Sequence, residues 1–458
     1  MQFPNKEQET VIRHSGRPLL VIAGPGTGKT ITLVARMVKL ITENPNRDVS
    51  FITFTRTSRR DTNNRVGEEV GKKAFEEAEF EFPRVSTLHT YAKSLIHKYA
   101  TLIKRHPNFS ILIDEKGEKD LLLLELIKDL KLKIDLQRLR QEIYCYRCTG
   151  TWRRGCRLPE SKRAEVLEHF ELLLRFYNTL EMEGLIPVAY EILSNSETEL
   201  PPAYLQVDEY QDLNPMDQKL IELASSSKGS QVVVVGDDAQ SIYKFRYAKL
   251  EGIRELYESD RWDKIQFSCS HRLPPHIMRA SHALIAGKGY LGANIIPPED
   301  DGKRIFTLQC TKSDLQIDAV ARLMKNLLKK RKRKNGDQLQ YKDLMVLCPN
   351  RMFVKKVTTS LANECGIPTK QVEKTSIPEY EWRLLLVLRM VGSGDSLALR
   401  QWLSIAGVKV SEIEVFRKKA MEAGQTLYEY CSGAKEPTVK GIFEHLRKVK
   451  ASTSSTKE

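Results

Sequence analysis

The sequence lacks both a long apolar run and an N-terminal leader pattern. No stretch of its 458 residues approaches the roughly 18 apolar residues that a membrane-spanning helix needs. The segment from Met1 to Glu7 lacks the basic-then-apolar order of a signal peptide. These absences argue against a membrane protein and a secreted one, so we expect an intracellular protein.

Cysteine is too sparse for a disulfide scaffold. The chain has eight cysteines, and only Cys145, Cys148 and Cys156 form a close group. Three thiols at this spacing are compatible with a zinc site, but structural zinc takes four ligands. The nearest further candidate, His169, lies at an unusual spacing. The pattern therefore favours reduced, packed cysteines, with zinc as the alternative.

Acidic residues are fewer than basic ones. The chain has 73 lysines and arginines against 59 aspartates and glutamates, a formal net charge of +14. An excess of this size favours a polyanionic partner such as nucleic acid. The run Lys329–Lys334 is compatible with a localisation signal or a phosphate-binding patch. We favour the interpretation that it is a solvated basic loop.

Four short apolar runs predict the strands of a parallel sheet. Helical patterns separate them, and they lie at residues 19–23, 49–54, 204–207 and 231–235. Short buried strands that alternate with helices are typical of an α/β fold with helices on both faces of the sheet. Functional side chains are then expected at the carboxyl ends of these strands.

The rest of the chain divides by pattern, and its length predicts two to four domains. Charged and apolar residues alternate at helical spacing over 115–183, which predicts an all-helical insertion. After about residue 270 a second α/β pattern begins. It has predicted strands at 305–308 and 344–347 around a helix at 314–330, followed by a helical region at 379–431 and a disordered tail at 451–458.

A glycine-rich loop joins the first predicted strand to the next helix. It comprises Ala23, Gly24, Pro25, Gly26, Thr27, Gly28, Lys29 and Thr30, and Ile31 continues into the helix. Glycines let backbone N–H groups approach phosphate oxygens closely. Lys29 is then expected to reach the β- and γ-phosphates of a nucleoside triphosphate, and the Thr30 hydroxyl to ligate Mg²⁺. An ordinary Gly/Pro turn is the alternative, and the Lys-Thr pair at the helix start argues against it.

Polar residues follow the third and fourth predicted strands. Asp208 and Glu209 come directly after Val207. An acidic pair at a strand end suits a Mg²⁺-nucleotide site, where Asp208 is expected to hold the metal and Glu209 to orient and deprotonate the attacking water. Gln240 lies just beyond the fourth strand and is a candidate sensor of the γ-phosphate, because an amide donates to a phosphate oxygen.

An aromatic and basic group follows Gln240, and it consists of Tyr243, Phe245 and Arg246. Aromatic side chains beside arginine suit single-stranded nucleic acid, which offers base faces and phosphates together. The alternative is that Tyr243 and Phe245 are ordinary core residues.

The order of these motifs resembles that of superfamily 1 helicases of the UvrD/Rep/PcrA type. Asn5-Lys6-Glu7-Gln8 resembles the family's adenine-reading segment, Thr53-Phe54-Thr55-Arg56 its first DNA-contacting motif, and Thr87-Leu88-His89-Thr90-Tyr91 its second. Ser270-His271-Arg272 lies where the family has Asn-Tyr-Arg. The resemblance covers residues 1 to about 410. It implies a P-loop NTPase with RecA-like parallel sheets, helical insertions and two motor domains, the second incomplete.

The resemblance also implies roles for individual residues. Gln8 is expected to contact the adenine base, and His271 replaces a tyrosine that stacks on it. Arg272 is expected to contact the γ-phosphate, which completes a catalytic set with Lys29, Glu209 and Gln240. DNA contacts are implied for Phe54, Arg56, Thr87, His89, Tyr243, Phe245 and Arg246.

The family's domain boundaries divide the chain into four parts. Residues 1–100 and 190–269 are expected to form the first RecA-like, ATP-binding domain, with 101–189 as a helical insertion. Residues 270–376 are expected to form a partial second RecA-like domain, and 377–458 a partial helical insertion with the tail.

The implied activity is that of an ATP- and Mg²⁺-dependent DNA helicase or translocase. The family moves 3′ to 5′ on single-stranded DNA or at a junction with duplex, in repair or replication, which places the protein in the bacterial cytoplasm with the nucleoid. Two later family motifs, His-x-Ala-Lys-Gly-Leu-Glu-Phe and Tyr-Val-Ala-x-Thr-Arg-Ala, do not occur in this sequence. The second supplies an arginine worth about 10³–10⁵ in turnover, so we expect slow hydrolysis by this chain alone. The alternative is a regulatory protein that binds nucleotide and single strands without unwinding.

Overall fold

The computed structural model describes most of the chain and groups it into two compact units. The described residues are 4–43, 48–54, 60, 62–64, 66, 85–103, 106, 108–195, 203–291, 304–332, 336–370 and 377–454. The first unit contains residues 1–301 together with 378–458, and the second contains 302–377.

The first unit is built on a six-stranded parallel sheet. Its strands are β1 (Leu19–Ile22), β2 (Val49–Thr53), β3 (Val85–Thr87), β6 (Tyr204–Val207), β7 (Gln231–Gly236) and β8 (Asp263–Gln266), in the order β3-β2-β6-β7-β1-β8. Two further short strands, β4 (Ser110–Ile111) and β5 (Thr179–Leu180), pair with each other. Strands β1, β2, β6 and β7 confirm the four apolar runs as sheet strands.

Helices surround the sheet and continue to the end of the described chain. Their bounds are α1 (Lys6–Arg13), α2 (Lys29–Glu43), α3 (Leu88–Tyr99), α4 (Glu118–Asp129), α5 (Leu136–Thr149), α6 (Glu160–Phe176), α7 (Leu185–Ser194), α8 (Pro215–Ser226), α9 (Glu251–Glu258), α10 (Pro275–Ile285), α11 (Ser313–Lys330), α12 (Arg351–Asn363), α13 (Glu379–Ser393), α14 (Ser396–Ile405), α15 (Val410–Glu422), α16 (Leu427–Ser432) and α17 (Pro437–Ser454).

Both faces of the sheet are buried, because successive side chains of a strand point to opposite faces. Leu20 and Ile22 of β1 belong to one hydrophobic core, whereas Leu19 and Val21 belong to the other. This two-sided burial explains why β1 and β7 are continuous apolar runs rather than alternating ones. The predicted α/β sheet with helices on both faces is confirmed.

The register of the sheet brings the carboxyl ends of its central strands together. Ile22 of β1 lies opposite Gly236 of β7, and Val207 of β6 lies opposite Val234 of β7. The phosphate loop, Asp208 and Asp237 therefore all leave the sheet at the same edge.

Buried ion pairs connect α4 with the helices that follow residue 378. Three arginines donate to three acids of α4: Arg389 Nη1 to Glu118 Oε1 at 2.6 Å, Arg400 Nε to Glu125 Oε1 at 2.9 Å, and Arg417 Nη2 to Asp129 Oδ1 at 2.6 Å. We call these three pairs the α4 clamp. Burial alone would raise the pKa of Asp129, but hydrogen bonds from Arg417 and His169 outweigh burial and lower that pKa.

The described part of the second unit contains two α-helices and two apolar segments without regular secondary structure. Ile317, Ala321 and Met324 of α11 share a core with Val357 and Leu361 of α12. The predicted helix at 314–330 is confirmed, but within residues 304–332 and 336–370 the structure contains no strand at 305–308 or 344–347. A strand needs a hydrogen-bonded neighbour, and neither segment has one in the described part of this unit. Most of their apolar side chains are consequently exposed, Phe306 and Leu347 most of all, whereas Leu344 packs against the core of the unit.

Three smaller expectations can be compared with the structure. The tail prediction was wrong for 451–454, which continue α17, because extending a formed helix adds one hydrogen bond for each residue fixed; 455–458 lie outside the described residues. All eight cysteines are free, and no group of three potential metal ligands occurs among the described residues. No described helix combines the length and apolar character needed to cross a membrane.

Candidate nucleotide site and aromatic cluster

The phosphate loop turns tightly between β1 and the first turn of α2. Gly26 and Gly28 have φ angles of +76° and +89°, a region that favours glycine. A Cβ at Gly26 would lie 2.6 Å from Arg272 Cβ, and one at Gly28 would lie 2.6 Å from Gln8 Nε2. The backbone angles favour glycine at both positions, and at Gly26 the close approach of Arg272 also leaves no space for a side chain.

Gln8 holds the loop from its outer side. Its Nε2 donates to the carbonyl of Thr27 at 3.1 Å, and its Oε1 accepts from the Asn5 backbone N–H at 2.9 Å. The Thr27 hydroxyl donates to the Gly24 carbonyl at 2.9 Å, which closes the turn. Gln8 thus contacts the loop itself, and its predicted contact with adenine remains a prediction.

The loop meets the acidic end of β6 through two side-chain contacts. The Thr30 hydroxyl donates to Asp208 Oδ2 at 2.8 Å, and Lys29 Nζ lies 3.3 Å from Glu209 Oε2. Lys29 and Asp208 are buried, whereas Glu209 is about a third exposed. The residues predicted to contact the phosphates, the metal and the attacking water therefore lie next to one another at this edge of the sheet.

Glu209 stands in a backbone conformation that is unusual for a residue with a side chain. Its φ and ψ are 56° and 45°, in the left-handed region. Gln211 Nε2 donates to Glu209 Oε2 at 2.7 Å, and Gln211 Oε1 accepts from the Asp237 N–H at 3.1 Å. Gln211 therefore orients Glu209 and ties it to the end of β7. Sequence analysis did not assign a role to Gln211, although its place two residues after Glu209 was a usable signal.

Burial changes the acidity of the carboxyls at this edge. It raises the pKa of Asp208 to about 6, with a further contribution from the charge of Glu209. It raises the pKa of Asp212 to about 6 for the same two reasons. Lys29 acts in the opposite direction on both groups. A cation bound at this edge would favour the charged carboxylates.

The remaining predicted nucleotide contacts lie around a cavity of about 380 Å³. Gln240 and Arg272 line it together with Lys29, Thr30, Asp208 and Glu209. Gln240 Nε2 donates to Asp237 Oδ2 at 2.6 Å, which fixes the amide. His271 is exposed and does not line this cavity; its backbone N–H donates to the Gly26 carbonyl at 2.8 Å. Thr62 also lines the cavity and was not singled out from the sequence.

The donor set fits a nucleoside triphosphate with Mg²⁺. Asp208 and Thr30 offer hard oxygen ligands, which Mg²⁺ prefers. The loop leads into the N-terminus of α2, where backbone N–H groups and the helix dipole favour an anion. When bound, Mg²⁺ would neutralise charge on the phosphates.

An aromatic cluster with one arginine lies beside this edge. The rings of Phe54 and Tyr243 are 4.8 Å apart, and those of Tyr243 and Phe245 are 5.9 Å apart. The Arg246 guanidinium lies 5.2 Å from the centre of the Phe54 ring. Phe245 is 77 % exposed, so it is not a core residue. The alternative that Tyr243 and Phe245 simply fill the core is wrong for Phe245.

A second cavity, of about 560 Å³, extends from this cluster. It is lined by Phe54 and Arg246, and by Thr87, His89 and Lys93 from the start of α3. Thr87 caps α3, accepting from the Thr90 N–H at 3.3 Å. Arg56, also expected to contact DNA, lies outside the described residues.

Comparison of the sequence with known proteins gives matches to helicases of one family. The model of the UvrD/REP helicase N-terminal domain matches residues 4–261. The chain is 28 % identical over 308 residues to the ATP-dependent DNA helicase Rep of Escherichia coli K12, which covers 63 % of this chain and 44 % of that protein. It is 26 % identical over 465 residues to the ATP-dependent DNA helicase PcrA of Staphylococcus aureus Mu50, which covers 93 % of this chain and 59 % of that protein.

The chain therefore spans about half the length of the curated relatives that it matches. The family model covers more than half of this chain, including the phosphate loop, Glu209 and the aromatic cluster. On this match, the chain belongs to the UvrD/REP helicase family.

Proposed function

We propose that this chain binds ATP and Mg²⁺ at the edge formed by β1, β6 and β7. It hydrolyses ATP there and couples hydrolysis to 3′-to-5′ movement along single-stranded DNA, as the motor of a DNA helicase in repair or replication. One observation carries this proposal. Lys29 and Thr30 contact Glu209 and Asp208 directly, so the residues predicted to bind the phosphates, the metal and the attacking water lie together.

The aromatic cluster supports a single-stranded substrate. Stacking requires an open ring face, and duplex DNA keeps its bases inside the helix. Phe245 is exposed, and Arg246 adds a charge next to Tyr243 and Phe54. Three members of the cluster, Tyr243, Phe245 and Arg246, follow β7 just after Asp237 and Gln240. A change at the γ-phosphate can therefore reach the DNA contacts through a segment of a few residues.

Replacing Lys29 by alanine should weaken ATP binding about tenfold to a hundredfold, because charge-assisted hydrogen bonds to phosphate are worth about 1.5–3 kcal/mol. Binding is measured by titrating the full chain with a fluorescent ATP analogue. Lys39→Ala is the matched control, since Lys39 lies on the same helix and pairs with Glu43 on the surface. Unchanged affinity in Lys29→Ala would remove the phosphate-loop assignment.

Replacing Phe245 by alanine should weaken binding of a single-stranded oligonucleotide about fivefold to a hundredfold, because one stacked base is worth about 1–3 kcal/mol. Duplex affinity should stay the same. Fluorescence anisotropy with labelled oligonucleotides measures both affinities. Tyr380→Ala is the control, because Tyr380 is an exposed aromatic residue on α13. Equal losses for single strand and duplex would contradict stacking at this cluster.

A further inference from the structure

The positive charge of this chain is concentrated in the second unit. Residues 302–377 contain 17 lysines and arginines and 6 aspartates and glutamates, a net +11. The whole chain has a net charge of +14. Most of the basic excess therefore lies in about one sixth of the sequence.

Part of this charge is displayed along the second half of α11 and on the two residues that follow it. Arg322, Lys329, Lys330, Arg331 and Lys332 are all exposed, and we call them the α11 basic patch. Arg322 and Lys329 lie seven residues apart, which is two helical turns on one face. The opposite face of α11 holds Ile317, Ala321 and Met324 in the core of the unit.

The backbone around the patch is held in place. The Arg331 N–H donates to the Leu327 carbonyl at 2.9 Å, and Lys332 forms a β-bridge with Gln338. Gln338 Nε2 donates to the Leu328 carbonyl at 2.9 Å, which covers the helix end. The backbone of Lys329–Lys332 is therefore held at the end of α11. The predicted basic loop is wrong for Lys329 and Lys330, which belong to the helix, although their side chains are exposed to solvent.

The patch has no close ion pair to a carboxylate within the described part of the second unit. None of its five cations forms an ion pair there. The C-terminal dipole of α11 favours nearby cations, but only by about 0.3–1 kcal/mol for each exposed charge. Adjacent like charges repel one another. A polyanion would relieve that repulsion and release its own counterions.

We propose that the α11 basic patch binds the sugar-phosphate backbone of nucleic acid independently of sequence, as a contact additional to that of the aromatic cluster. It has no aromatic residue on which a base could stack, so it should bind single strands and duplex alike. This inference goes beyond the proposed function, which concerns only single-strand contacts of the first unit. Anionic lipid is the other polyanion that basic segments attract, and the test includes it.

The test replaces Lys329, Lys330, Arg331 and Lys332 by glutamine in the full chain. The slope of log affinity against log salt concentration is measured by fluorescence anisotropy for a single strand and for a duplex. Removing up to four phosphate contacts should reduce the single-strand slope by about 2 to 3. Duplex binding should weaken as well, whereas Phe245→Ala should affect the single strand alone. This difference separates failure of the patch from failure of the proposed function.

A charge-matched control replaces Lys418, Lys419, Lys435 and Lys448, which are exposed on or near α15–α17. It should leave both slopes unchanged, because it alters net charge without touching the patch. Equal slope changes in the two variants, or none in the patch variant, would overturn the proposal. Loss of binding to phosphatidylserine vesicles with unchanged DNA slopes would also overturn it. Circular dichroism checks that both variants keep the native helix content.

Discussion

Replacing Glu209 by glutamine should lower the rate of ATP hydrolysis by about 10²–10⁴-fold while ATP binding is retained. Glutamine has nearly the same shape, and its amide oxygen can still accept from Gln211, which now lies 2.7 Å from Glu209 Oε2. What it cannot do is take a proton from water. Because Glu209 is about a third exposed, the substitution should leave the stability of the fold intact.

The assay is single-turnover phosphate release, with and without a single-stranded oligonucleotide. Glu251→Gln serves as the control, because Glu251 is an exposed carboxylate at the start of α9, outside the cavity. An unchanged rate in Glu209→Gln would mean that another group activates the water. If the wild-type chain binds ATP and DNA but DNA does not stimulate hydrolysis, the result would favour a regulatory protein over a motor.

Replacing Arg400 by methionine should destabilise the first unit by about 3–5 kcal/mol, because it leaves the buried Glu125 carboxylate without a cationic donor at 2.9 Å. Arg417 lies farther from the same carboxylate, at 3.6 Å, and Tyr177 offers only a neutral hydroxyl. Urea unfolding followed by circular dichroism measures the loss. Peptide-resolved hydrogen exchange should locate it in α4 and α14.

An exposed ion pair between α4 and the helices after residue 378 provides a matched control. Lys128 of α4 pairs with Glu414 of α15, but the Lys128 side chain is 61 % exposed. Lys128→Met should therefore cost less than about 1 kcal/mol. Adding Glu125→Leu to Arg400→Met should recover much of the loss, because an apolar pair needs no charge compensation. A small effect of Arg400→Met alone would show that the α4 clamp does not stabilise these helices.

Sequence patterns predicted the centre of the sheet better than its margins. Strands β1, β2, β6 and β7 are apolar because both of their faces are buried. Strand β3 has three residues, and β8 reads Asp-Lys-Ile-Gln, so neither gives a clear apolar signal. Edge strands need fewer apolar residues, since one side of the strand has no hydrogen-bonded neighbour.

The candidate site shows the same division. Lys29, Thr30, Asp208 and Glu209 follow motifs with a fixed spacing, and the structure brings them together. Gln211 follows Glu209 by two residues, but its role depends on a hydrogen bond to Asp237 that only the folded sheet creates.

The α4 clamp could not be predicted for a related reason. Charged residues at helical spacing usually indicate a solvated face, so Glu125, Arg400 and Arg417 carried no signal of burial. Their burial depends on contacts between segments far apart in the sequence. Helix position was predictable from local periodicity, but the partner of each helix was not.

The α4 clamp has a consequence for how the protein is made. Glu125 and Arg400 are separated by 275 residues, and Asp129 and Arg417 by 288. At about 5–20 residues per second, a ribosome needs roughly 15–55 s to add the arginine after the acid has been synthesised. During that time α4 has its acids but not their partners. The buried ion pairs of the α4 clamp therefore cannot be completed until Arg417 has been synthesised, however early α4 itself becomes helical.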